Sequence, residues 1–203
     1  MEDKTVKRSY ALPIALMLLV FSAIGNVFLY SQVLQHKQED SYSRGEKIFL
    51  AATEAHSFTR ELREHVSALI VTNNLSDRAE IKFRTGAAYR YAEGLNTFIL
   101  EGQRLEGGGE DVSGVQNPKL FLDDVQKALL NIGNHEGALT EEERAYLIKL
   151  DGVLGKLNVI TSQFNFDGTS KSALIRSGNG YDWPELSKKL LQAMNDEKSM
   201  AFS

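Results

Sequence analysis

The chain has 203 residues and a formal net charge of −4, from 23 Lys and Arg against 27 Asp and Glu. That mild acidity argues against nucleic acid as a partner and against broad adhesion to anionic lipid. Cysteine is absent, which excludes disulfides, thiolate chemistry and a cysteine-borne lipid anchor. Prolines are few, and two of them, Pro118 and Pro184, stand where helices should begin, so the composition is that of an all-α protein.

The first element is a membrane segment. From Ser9 to Gln35 no residue is charged. A helix from Tyr10 to Tyr30 is roughly 31 Å long, close to the ~30 Å hydrocarbon thickness of a bilayer. Tyr10 and Tyr30 sit where amphipathic rings prefer the headgroup level, and Pro13 falls in the first turn, where a missing N–H costs little. Lys4, Lys7 and Arg8 precede the run, against less basic bias in His36, Lys37, Glu39 and Asp40 after it. This asymmetry places residues 1–9 in the cytoplasm and the bulk of the chain outside. Ala23 and Gly25 before Asn26 also fit a signal-peptide cut, but Val27-Phe28-Leu29-Tyr30 prolongs the apolar run beyond what a signal peptide needs. The reading is therefore a retained single-pass anchor and exit over 10–35, cell-membrane localisation, and an extracytoplasmic part from residue 36.

From about Glu39 to Asn73, Ile48, Ala51, Ala55, Phe58, Leu62, Val66 and Leu69 step by three and four, the stripe of an amphipathic helix. Gly45 could bend it. Ser76 is placed to cap a second helix, about Asp77 to Arg104, with the stripe Ile81, Ala88, Ala92, Leu95 and Ile99, widened by Tyr91 and Phe98. Gly86, Gly94 and Gly102 recur on that helix at a spacing of eight and would let another helix come close. Arg78, Lys82, Arg84 and Arg90 read as a solvated basic face. Glu106 to Gln116, EGGGEDVSGVQ, has the composition of a flexible connector. Asn117-Pro118 opens a third helix carrying Leu120, Phe121, Val125, Ala128, Leu129 and Ile132, which fades between Gly133 and Gly137. Thr140 and Glu143 match a capping box at the head of a fourth helix, which runs through Leu147, Leu150, Val153, Leu154, Leu157 and Ile160. Turn chemistry follows from Phe164 to Trp183. Asp182 and Glu185 are spaced as a second capping box for a last helix bearing Leu186, Leu190, Leu191 and Met194. The expected architecture is an antiparallel bundle of about four helices over 36–163, then a turn-rich segment and a short C-terminal helix over 164–203.

Chemistry is hard to find in this pattern. His56 and His65, nine residues apart, fall on opposite faces of one helix and cannot share a metal there. The acids Glu106, Glu110 and Asp111 lack the spacing of a calcium loop. Asp123-Asp124 and Glu141 to Glu143 sit where helix N-terminal turns attract acids. No phosphate loop or nucleophile–base pair occurs, so neither a catalytic residue, a metal ligand nor a cofactor site is assigned and the chain reads as a non-enzyme.

The order of an anchor, a helix with SFTRELREHVSALI, the later stretch LFLDDVQKALLNIGNHEGALTEEERAYLIKLDGVLGKLNVITSQF and the solitary Trp183 resembles the N-terminal half of the YpeB spore-germination family. The resemblance implies an anchored helical region with a place in sporulation; the chain ends where that family's C-terminal modules would start, and no functional residue carries over.

The residues best placed to meet a protein partner are Phe166, Tyr181 and Trp183, aromatics in a segment that otherwise reads as turns. Such rings either pin the tail to the bundle or face solvent as an anchor for a partner. The functional expectation is a bitopic protein whose outward bundle serves as a protein-interaction or scaffold module. The alternative is a sensor-like ectodomain holding a small ligand.

Overall fold

The computed structural model describes residues 11–107, 118–196 and 202. The chain is all-α: among the described residues there are seven α-helices and one 3-10 turn. It divides into two compact units, one ending at Asp40 and one beginning at Ser41.

The first unit is the leading part of α1 (Ala11–Val71). Its side chains have no protein cover. Leu12 is 82% exposed and Phe21 63%. Among the described residues this is the one helix long and apolar enough to cross a membrane. A helix apolar on every side is at rest only in an apolar medium. The basic residues Lys4, Lys7 and Arg8 lie outside the described residues.

In the second unit α1 supplies the longest stripe of the core. Ile48, Ala51, Ala55, Phe58, Leu62, Val66 and Leu69 are all buried, as their spacing requires. The helix passes through Gly45 without a break. Gly45 is there for a close approach: a Cβ on it would overlap the Leu174 carbonyl, and one on Gly178 would overlap the Ser41 carbonyl. Ser41 Oγ also donates to Asn179 Oδ1 at 2.8 Å. The two glycines let α1 and α6 (Lys171–Gly178) touch backbone to backbone.

The expected second helix is two helices, α2 (Leu75–Ala88) and α3 (Ala92–Glu106), joined by a 3-10 turn at Tyr89–Tyr91. The tighter turn shifts the phase of the stripe and lays Tyr89 edge-on against Phe58, with centroids 5.4 Å apart. Asn74 rather than Ser76 caps α2. Its backbone is extended and its side chain accepts from the Asp77 N–H, whereas Ser76 already lies inside the first turn. Of the three spaced glycines, Gly94 is filled by Ala51 and Glu54 of α1 and Gly102 by Ser187. Gly86 faces open space.

In α4 (Lys119–Asn131) the buried residues are Leu122, Val125, Ala128 and Leu129. Leu120 is 70% exposed, because a residue two positions from Leu122 points about 200° away on a helix. The flexible connector before α4 lies almost wholly outside the described residues, as does Asn117. The α5 helix (Glu141–Thr161) opens on the expected capping box of Thr140 and Glu143 and buries Leu147, Leu150, Val153, Leu154 and Leu157. A final helix, α7 (Pro184–Asn195), lies against α3 and α5. Its expected capping box does not form. Asp182 has a φ of 68°, and its carboxylate turns instead to Arg176 at 2.6 Å. Trp183 holds the cap position, without a side-chain cap, and Pro184 follows at the first helical position. The tail thus carries two short helices, α6 and α7, with Ser172 to Ile175 inside the first.

Candidate functional sites

The aromatic tail is built around Trp183. It has no exposed surface, and its Nε1 donates to the Ser177 carbonyl at 2.8 Å. Its ring lies 4.8 Å from Phe98 and edge-on to Phe164 at 6.1 Å. Phe166 is half-buried and stacks on Phe164 at 4.9 Å. Tyr181 stands apart, 58% exposed. The three candidate residues therefore do not form one surface: Trp183 and Phe166 belong to a packed aromatic cluster, and Tyr181 alone faces solvent.

A second cluster carries most of the buried charge, and sequence reasoning passed over it. Arg78, expected on a solvated face, is fully buried. The turn between α4 and α5 needs it: its guanidinium donates to the carbonyls of Gly137, at 2.8 Å, and His135. One turn along α2, Lys82 Nζ donates to the Leu130 and Ile132 carbonyls at 2.9 and 2.8 Å and to Asn134 Oδ1 at 2.5 Å. These are the orphan carbonyls at the end of α4, where a cation also suits the helix dipole. Glu143 closes the turn from the other side. Its Oε1 accepts from the Gly133 N–H at 2.7 Å, and its Oε2 accepts from the Thr140 N–H at 2.9 Å and faces His135 Nε2 at 2.8 Å. The readable signal was Arg78 and Lys82, four apart on one helix face, opposite a glycine-flanked turn.

Burial would push the Glu143 carboxyl up, but the Gly133 N–H, His135 and the Thr140 N–H outweigh it and hold it at about 2. His135 is raised from its ordinary value, first by Glu143 and then by its bond to the Glu136 carbonyl. Glu143, lower in the folded state, adds stability that is complete above the ordinary carboxylate range and is lost as pH falls toward 2. His135, higher in the folded state, adds stability below its ordinary range, lost as pH rises through its raised value. Melting the solubilised chain between about pH 8 and about pH 2 should therefore give a maximum between those two ranges. Glu143→Gln should flatten the acid limb; an equally steep limb in that variant would contradict the assignment.

Between α2 and α4 runs an open groove lined by Gly86, Tyr89, Gln126 and Leu130. It continues past Tyr89 into a hollow of about 230 Å³ with Asn96 and Asp123 on its walls. Leu130, on the groove wall, is 62% exposed. Of the histidines, His56 Nδ1 lies 3.3 Å from Thr161 Oγ1, while His65 Nδ1 has no partner. Among the described residues no group of three His, Asp or Glu is placed to hold a metal; Glu110 and Asp111 lie outside them. No family model matches the chain, and no curated protein or solved structure matches it.

Proposed function

We propose that the chain is a single-pass cell-membrane protein with its N-terminus in the cytoplasm, whose outward helical unit binds another protein, as an interaction or scaffold module and not as an enzyme. The observation that carries this reading is the uncovered apolar helix at the head of α1, taken with the basic residues before it. An open groove supports a protein partner: a mostly apolar groove with exposed Leu130 on its wall suits a surface ligand, whereas a small molecule is commonly enclosed. Tyr181 adds an exposed ring of the kind enriched at binding hot spots.

One observation favours the sensor-like alternative. Asn96 Oδ1 is left without a partner beside the hollow at Tyr89 and Asp123, as a polar ligand would require. A link to spore germination rests on the helix-order resemblance to the YpeB family alone.

A reporter fused after Ser203 should be active only outside the cytoplasm, and the chain should stay with membranes through alkaline carbonate. Release of a soluble chain beginning near Asn26 would overturn the anchor. Crosslinking in the native membrane should attach a second protein to the helical unit; saturable small-ligand binding with no crosslinked protein would favour the alternative.

A further inference from the structure

The apolar segment has one face unlike the others. Asn26 singles it out: with Ala15, Leu19, Ser22, Leu29 and Val33 it lies on one series spaced four and three apart, a spacing that turns a single seam toward a second helix from any start in an unbroken helix. Two of these residues, Ala15 and Ser22, are small enough to let helix backbones come close. Asn26 is the anomaly. It lies about 9 Å from the midpoint of the Tyr10–Tyr30 span and about 6 Å inside its Tyr30 end, is exposed, and among the described residues its side chain makes no hydrogen bond. Hydrocarbon offers it neither donor nor acceptor, and its stem is too short to carry the amide to the headgroups.

A carboxamide both donates and accepts. Two of them related by a twofold axis satisfy each other, and an identical helix brings the same small residues and the same spacing to the seam. We propose that this face is a homodimer interface: two copies of the chain pack along Ala15–Val33 in the membrane, with their Asn26 side chains hydrogen-bonded to one another. The inference rests on the membrane reading above.

Because the chain has no cysteine, single introduced thiols report the geometry directly. In the full chain in membranes, Val33→Cys lies on the seam and Gln35→Cys about 200° from it. Mild oxidation should give Val33→Cys a band at twice the 22.6 kDa chain mass and leave Gln35→Cys monomeric. Adding Asn26→Leu to Val33→Cys should lower the crosslinked fraction by roughly tenfold, the scale of one interhelical side-chain hydrogen bond, while Asn26→Gln should keep it. Equal crosslinking at both positions, or no loss with Asn26→Leu, overturns the interface. A Val33→Cys product of any other mass overturns the second copy as occupant. Carbonate extraction of the same samples separates the two ideas: variants that stay in the membrane but fail to crosslink sink the dimer alone, whereas extraction of the parent chain sinks the membrane reading and the dimer with it.

Discussion

Trp183→Ala is expected to destabilise the helical unit by about 3–5 kcal/mol, the range for removing a large buried ring. The indole fills the space between α3, α6 and α7, packed on Phe98 and Phe164 with nothing exposed. Its removal also takes the indole N–H from the Ser177 carbonyl, which keeps the Gly180 N–H at 2.9 Å. As the only tryptophan of the chain, it reports on itself: the folded protein should emit at short wavelength and shift to the red on unfolding. A melting temperature left unchanged by Trp183→Ala, or wild-type emission at the wavelength of solvated indole, would contradict this placement. Tyr181→Ala makes the contrast, since that ring is mostly in solvent: it should leave the melting temperature almost unaltered while weakening capture of a partner.

Arg78→Met should cost about 2–4 kcal/mol, although it keeps the length of the side chain and removes a buried charge. What it takes away is the charged donor for the Gly137 and His135 carbonyls; each such bond contributes about 1.5–3 kcal/mol, part of which water restores because Gly137 is exposed and His135 half-buried. Arg78→Lys should recover part of the loss and not all, because a single ammonium lacks the planar fork that reaches two carbonyls at once. Denaturant unfolding of the three proteins measures both effects. If Arg78→Met proves as stable as wild type, the α4–α5 turn is held by Glu143 and Lys82 without it.

These two residues also show what the amino-acid order discloses. Burial that repeats with a local period is visible in it. The stripe from Ile48 to Leu69 is buried residue by residue as its spacing demands, and the Thr140–Glu143 capping box lies within a single turn. Arg78 is different. Its partners are backbone carbonyls in a turn more than fifty residues later, and a backbone carbonyl has no letter in the sequence. The 3-10 turn at Tyr89–Tyr91 carries neither glycine nor proline to announce it. A leucine at position 120 suggests core, though only its phase relative to Leu122 decides the matter. Asp182 had the right spacing for a cap, yet Arg176 offered it a full charge in place of a backbone N–H. Of the aromatic candidates, the solitary Trp183 carried two readings, and its packing against Phe98 is a tertiary fact.

The glycine crossing of α1 and α6 has a consequence for the order of events during synthesis. Ser41 and Gly45, at the start of the folded unit, meet Asn179, Leu174 and Gly178, near its end. A chain made from its N-terminus exposes the Ile48–Leu69 stripe long before those residues exist. The contact that closes the unit has a large sequence separation, so its loop-closure cost falls on the last step of folding. Closure of this bundle is therefore expected to wait until residues 171–179 have been made. Before α2, α3 and α5 emerge to cover it the longest apolar stripe is bare, and a holding factor would find its target there.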